Sequence, residues 1–303
     1  MHSPAMMAAV PEDPDSPIAS EKALLQSPPL PHERVFYWGS GSPQAWRVLI
    51  ALEEKGIPYR SVCVSFSSGV LKTPFFQALN PRMRIPVLVE PVDDDADAVE
   101  SASATSSPFF GLTPSRQERV VLYESAAILE YLERRFPQPP CMPHNLHAFA
   151  MAQTRLHEAN EILSVVGDLV VYLRRFPVDK RNPAVLQAKW GALDAELAIW
   201  EAYFDGRPFL VSRETPYLCD FTLFTNIAYA VRCGLQLDGL YPRLAMFYVR
   251  LCARPSIEKT WPPHWKTTFG TKVLTKCFYC SGQGQCSCCP PSGNGDTNAA
   301  SPK

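Results

Sequence analysis

Among the 303 residues there is no uncharged apolar run of about 18, the length a helix needs to cross a bilayer. The most hydrophobic stretch, Ile162 to Leu173, is broken by Asp168. Neither sign of charge is in excess: 29 Lys and Arg oppose 30 Asp and Glu, a net −1, so nothing draws the whole chain toward phosphate or anionic lipid. These absences argue against a transmembrane segment and against nucleic acid as a partner. Met1 to Glu33 lacks a basic segment followed by an apolar one and is acidic and proline-rich, so no export or organelle signal is read there and a cytoplasmic location is expected.

Paired cysteine spacing is missing from most of the chain. Of 10 cysteines, Cys63, Cys141, Cys219, Cys233 and Cys252 stand singly, most of them in apolar sequence, as buried free thiols of a reducing compartment do. The other five crowd into the last 27 or so residues.

Periodicity is what the chain does have. Val35-Phe36-Tyr37-Trp38 is a β-branched and aromatic run, and Ser42-Pro43 joins an N-cap residue to proline at the first helical position. Ala45, Leu49 and Leu52 keep a helical spacing up to Glu53-Glu54-Lys55, where Gly56 supplies the stop. Val62, Val64 and Phe66 alternate as a second strand. Thr73-Pro74 opens a short helix, 86–89 and 120–123 read as strands, and 126–135 as a helix, giving the order βαβαββα.

Hairpin loops are normally about 2–5 residues, so the Asp- and Ser-rich stretch between the last two strands is an insertion, expected as a surface flap. Beyond Pro137-Gln138-Pro139-Pro140 only helical spacing remains, over 146–175, 183–204, 219–233 and 241–251. The expected organisation is a disordered extension (1–33), a thioredoxin-like α/β domain (34–136, insertion 91–119), a linker (137–145), an all-α helical-bundle domain (146–268) and a disordered Cys-rich tail (269–303).

Several segments then resemble cytosolic glutathione transferases of the serine type. Trp38-Gly39-Ser40-Gly41-Ser42-Pro43-Gln44-Ala45-Trp46-Arg47-Val48 is similar to that family's first strand, catalytic loop and first helix. Asn80-Pro81 with Ile85-Pro86 resembles a signature of the zeta and theta-like classes, and Tyr123 to Leu132 resembles the family's "ESxAIxxYL" segment. Arg254-Pro255-Ser256-Ile257 and Trp261-Pro262-Pro263-His264-Trp265 are most similar to the rho class of fish.

The resemblance implies glutathione as co-substrate, no prosthetic group, a small electrophile as acceptor, and a homodimer. It implies Ser42 as the residue that activates the thiol, with Ser40 as its local rival. A thiol with a pKa near ~8.5 is only about 3% ionised at pH 7. Lowering that pKa by about two units needs ~2.7 kcal/mol, within reach of one charge-assisted hydrogen bond and a helix N-terminus. Taken alone, Ser42 also reads as an ordinary N-cap.

By the same resemblance Ile85-Pro86, with a cis bond, pairs with the cysteinyl backbone, while Glu124 and Ser125 hold the γ-glutamyl ammonium and carboxylate. Lys72 and Arg84 are the candidates for the glycyl carboxylate, and Gln44, His157 and Asn160 for the acceptor pocket. The chain departs from the pattern at Met83-Arg84, usually Gly-Gln, and at Tyr217, where an N-cap serine is usual. No cysteine stands at 42–45, which disfavours mixed-disulfide reductase chemistry, and the zeta isomerase loop is missing too. Conjugation and peroxide reduction are the enzyme readings, with a non-catalytic glutathione-binding interaction module as the alternative. In the tail, Cys277, Cys280, Cys286 and Cys288 are compatible with a thiolate metal site, with palmitoylation, and with free thiols.

Overall fold

A computed structural model describes residues 30, 32–91 and 119–275. The elements run β1 (Val35–Trp38), α1 (Pro43–Glu54), β2 (Arg60–Cys63), α2 (Pro74–Leu79), β3 (Val87–Pro91), β4 (Arg119–Tyr123) and α3 (Ser125–Arg135). The helices α4 (Leu146–Arg175), α5 (Pro183–Tyr203), α6 (Leu218–Arg232), α7 (Pro242–Cys252), α8 (Pro255–Thr260) and α9 (Pro263–Thr267) follow. The sheet order is β2-β1-β3-β4, with β1 and β2 parallel and the other pairs antiparallel. This is the thioredoxin-like domain and helical domain expected from the sequence.

Period-2 alternation assigns the sheet's faces. Val35, Tyr37, Val62, Val64, Val87 and Val89 pack with Phe76 of α2, whereas Phe36, Trp38 and Leu88 face α1 and α3. The second group belongs to an apolar core that continues through α4, α6 and α7, so the two halves of the chain share one interior. Polar clamps reinforce the join. The buried Lys55 ammonium donates to the Phe136 and Pro139 carbonyls (2.8 and 3.0 Å) and pairs with Glu133 at 2.6 Å, while Glu54 accepts from Arg254 and Ser256.

The second strand is shorter than its alternation suggests. Its last bonded partner is Trp38, whose carbonyl accepts from Val64, and beyond that β1 turns away at Gly39. Val62 and Val64 are buried, but Phe66 swings out with 61% of its surface exposed.

Two boundaries move. The tail does not begin at 269, because Thr271 and Leu274 donate to the carbonyls of Arg232 and Cys233, and Leu274 is buried against the end of α6. At the other end, Glu33, placed by the sequence in the N-terminal extension, lies within 3.5 Å of Arg60 and belongs with the folded domain. Pro91 and Arg119 form the last rung of the β3–β4 ladder; the rest of the insertion, most of the extension and the tail beyond 275 lie outside the described residues. The five scattered cysteines are free thiols, Cys141, Cys219 and Cys233 of them buried.

Candidate functional site

Three chain turns build the candidate site. Beyond β1 the chain folds back at once: Ser42 N–H donates to the Gly39 carbonyl at 3.1 Å, with Gly41 at φ +82°, a conformation that favours glycine. Ser42 then caps α1, accepting from Ala45 N–H at 3.4 Å. That capping contact is long, and it uses only a lone pair. The hydroxyl proton stays available to donate.

The buried Asn80 side chain shapes the loop opposite. It donates to the Arg84 carbonyl at 2.8 Å and accepts from Arg82 N–H at 3.0 Å, while Met83 takes φ +52°. That positive φ is the physical reason a glycine would suit position 83. The Ile85-Pro86 bond is cis, and among the described residues no backbone bond uses the Ile85 N–H or carbonyl.

A third turn starts α3. Glu124 stands at φ +69° and ψ +105° with no side-chain cap, so the first-turn amides of this helix are uncapped and suited to an anion. A non-glycine residue there costs roughly 1–3 kcal/mol, a strain that functional sites commonly hold.

Beside it, Ser125 Oγ accepts from Arg47 Nε and Nη2 at 3.1 and 2.6 Å, and Arg47 Nη1 donates to Asn160 Oδ1 at 3.2 Å. Arg47 is 4% exposed, and burial lowers its pKa to about 10, against an opposing influence from Glu124. Because the guanidinium occupies both lone pairs of Ser125 Oγ, that hydroxyl can act toward a ligand only as a donor.

These three turns enclose a cavity of about 350 Å³ lined by Ser42, Gln44, Arg84, Ile85, Pro86, Glu124 and Ser125, with Asn80, Met83, Leu71 and Phe66. That is ample for a small peptide. Lys72 is exposed at the end of a 3₁₀ turn and is not in its wall. Nor are His157, which is exposed on α4, and Asn160, which serves Arg47 instead.

A second cavity of about 420 Å³ adjoins the first and shares Phe66. A larger one of about 650 Å³ lies at the other end of the sheet, around Arg34, Tyr59 and Pro91, remote from every predicted site residue. The tail cysteines lie outside the described residues, and among those described no helix is long and apolar enough to cross a membrane.

Sequence reasoning passed over Arg47 and His264. The first had a legible signal, a charged residue between Trp46 and Val48 on a helix that is otherwise apolar there. The second had none beyond its motif.

A thioredoxin-like domain that presents a hydroxyl, a free backbone edge and an uncapped helix to one peptide-sized cavity, backed by a helical domain, defines the class. The model of the glutathione S-transferase N-terminal domain matches residues 41–135. Glutathione S-transferase A of Pleuronectes platessa is 30% identical over 236 residues, covering 75% of this chain and 91% of the relative. A maleylacetoacetate isomerase of Pseudomonas aeruginosa is 25% identical, covering 73% and 92%. The crystal structure of a glutathione S-transferase from the Antarctic clam Laternula elliptica superposes with a TM-score of 0.67 at 31% identity, covering 80% and 98%. The chain belongs to the glutathione S-transferase family.

Proposed function

We propose that the chain is a glutathione transferase that ionises the glutathione thiol at Ser42 and conjugates it to small electrophiles. The observation carrying this reading is the single cavity that gathers Ser42, Ile85, Glu124 and Ser125. Extended along it, the tripeptide meets donors and acceptors in the order of its own groups. The γ-glutamyl ammonium faces Glu124, and its carboxylate faces the Ser125 hydroxyl and the α3 amides. The cysteinyl backbone pairs with Ile85 in the manner of an added strand. The thiol then reaches the Ser42 hydroxyl and the N-terminus of α1, both of which favour the thiolate.

The glycyl carboxylate lies toward Arg84, which lines the cavity, and Lys72, two positions before the start of α2. Gln44 is the one proposed acceptor-side residue in the cavity wall. Family membership supports a homodimer and a cytoplasmic location, and peroxide reduction by the same thiolate is a secondary activity of this reading.

The test is retention on immobilised glutathione, followed by conjugation assays of wild type and Ser42→Ala. Retention with a large loss of turnover in the variant is expected. Retention with unchanged turnover removes Ser42 from the mechanism, and retention without turnover in either protein favours an interaction module.

A further inference from the structure

Two cavities flank the Gly39–Ser42 loop: Ser42 lines one, Ser40 the other, and Phe66 lines both. The second lies between the end of β2 and α9, with Val64, Phe66 and Pro263 as its apolar wall. His264, from α9, also lines it, and its Nδ1 is 2.6 Å from Ser40 Oγ across 224 residues of sequence.

We infer that His264 is the acceptor-side hydrogen-bond donor of the reaction, binding through Nε2–H the oxygen of a conjugated carbonyl whose apolar body fills this second cavity. The inference rests on reading the first cavity as the glutathione site.

The ring's position is fixed twice. Ser40 holds Nδ1, and when the serine hydroxyl donates there the ring proton sits on Nε2. The next residue, Trp265, is packed edge-on against Trp46 and Trp261, with centroids 5.5 and 6.0 Å away, which anchors α9. The ring lies against the catalytic loop: a Cβ at Gly41 would come 2.7 Å from His264 Cε1 and 3.3 Å from Nε2. Nε2 is therefore beside the residue that precedes Ser42. Partial burial and the nearby Arg232 lower the imidazole pKa, which keeps it a neutral donor.

In the reaction the thiolate sulfur uses a lone pair to form the C–S bond at the β-carbon. The alkene π pair shifts to give an enolate, whose oxygen the His264 N–H stabilises as charge develops. The α-carbon then takes a proton from water, which replaces the one lost from the thiol, so the net change is addition of S–H across the double bond. An alkyl halide places no charge on such an oxygen and has no use for the donor.

The experiment compares full-length wild type, His264→Phe and His264→Gln with benzylideneacetone, an aryl enone, and with benzyl chloride. His264→Phe should lower kcat/KM for the enone about tenfold, the worth of one hydrogen bond that strengthens in the transition state. The loss with benzyl chloride, which offers the donor no oxygen, should be several-fold smaller than with the enone, and His264→Gln, which retains an N–H, should recover part of the enone activity. Equal losses on both acceptors, an unaffected enone, or a wild type that accepts the chloride but not the enone overturns this inference alone. A wild type neither retained on immobilised glutathione nor active with either acceptor overturns the glutathione reading and this one together.

Discussion

Arg47 leaves the apolar side of α1 to place two N–H donors on the Ser125 hydroxyl, at 3.1 and 2.6 Å. A buried guanidinium is thereby used to make a serine into an obligate donor at the edge of the cavity.

Replacing this residue should separate charge from geometry. Arg47→Met leaves Ser125 and Asn160 without their donor and should cost about 1–3 kcal/mol of stability in a denaturant titration. Glutathione affinity measured by calorimetry should fall roughly tenfold. Arg47→Lys keeps the charge but lacks the fork that spans both partners, and should recover little of either loss.

Glu124 exchanges backbone comfort for a carboxylate at the cavity. Glu124→Gly removes the disfavoured φ of +69° at no steric cost, so the unfolding midpoint should hold or rise while glutathione retention drops. Met83→Gly, at φ +52°, should stabilise by up to about 1 kcal/mol and leave retention intact. Parallel melting and retention assays check both.

Asp220, at the start of α6, accepts the N–H groups of Leu210 and Tyr217 at 2.8 Å each, and burial pushes its pKa up to about 6 from 3.8. The folded state then binds the proton more tightly than the unfolded chain does. Between these two values stability therefore falls as pH rises, opposite to the behaviour of a salt-bridged carboxylate. Denaturant midpoints across that window should show wild type losing ground to Asp220→Asn as pH rises. A difference that does not change with pH would contradict this assignment. The same carboxylate keeps its half of the capping box although Tyr217 supplies no side-chain cap.

Much of this arrangement is legible in the sequence because its causes are local. Ser42-Pro43 predicts the start of α1, and alternation in β1 predicts which residues meet α2 and which meet α1. What escaped depends on distant partners. Phe66 continues the alternation of β2, yet the strand stops because β1 has already turned at Gly39. Leu274 lies beyond the last helix with no periodic neighbours, yet its side chain packs into the main core while its N–H bonds the Cys233 carbonyl. His264 meets Ser40 through the docking of α9 on the Gly39–Ser42 loop, which no spacing encodes. Asn160 reads as a cavity residue from its place on α4, but Arg47 engages it first.

The central claim is that Ser42 lowers the pKa of the bound thiol. Titrating glutathione in complex with wild type and with Ser42→Ala, by the ultraviolet absorbance of the thiolate, tests it directly. An apparent pKa about two units below the free value of ~8.5 in wild type, returning most of the way in the variant, is the predicted result. The same depressed value in both proteins would contradict it.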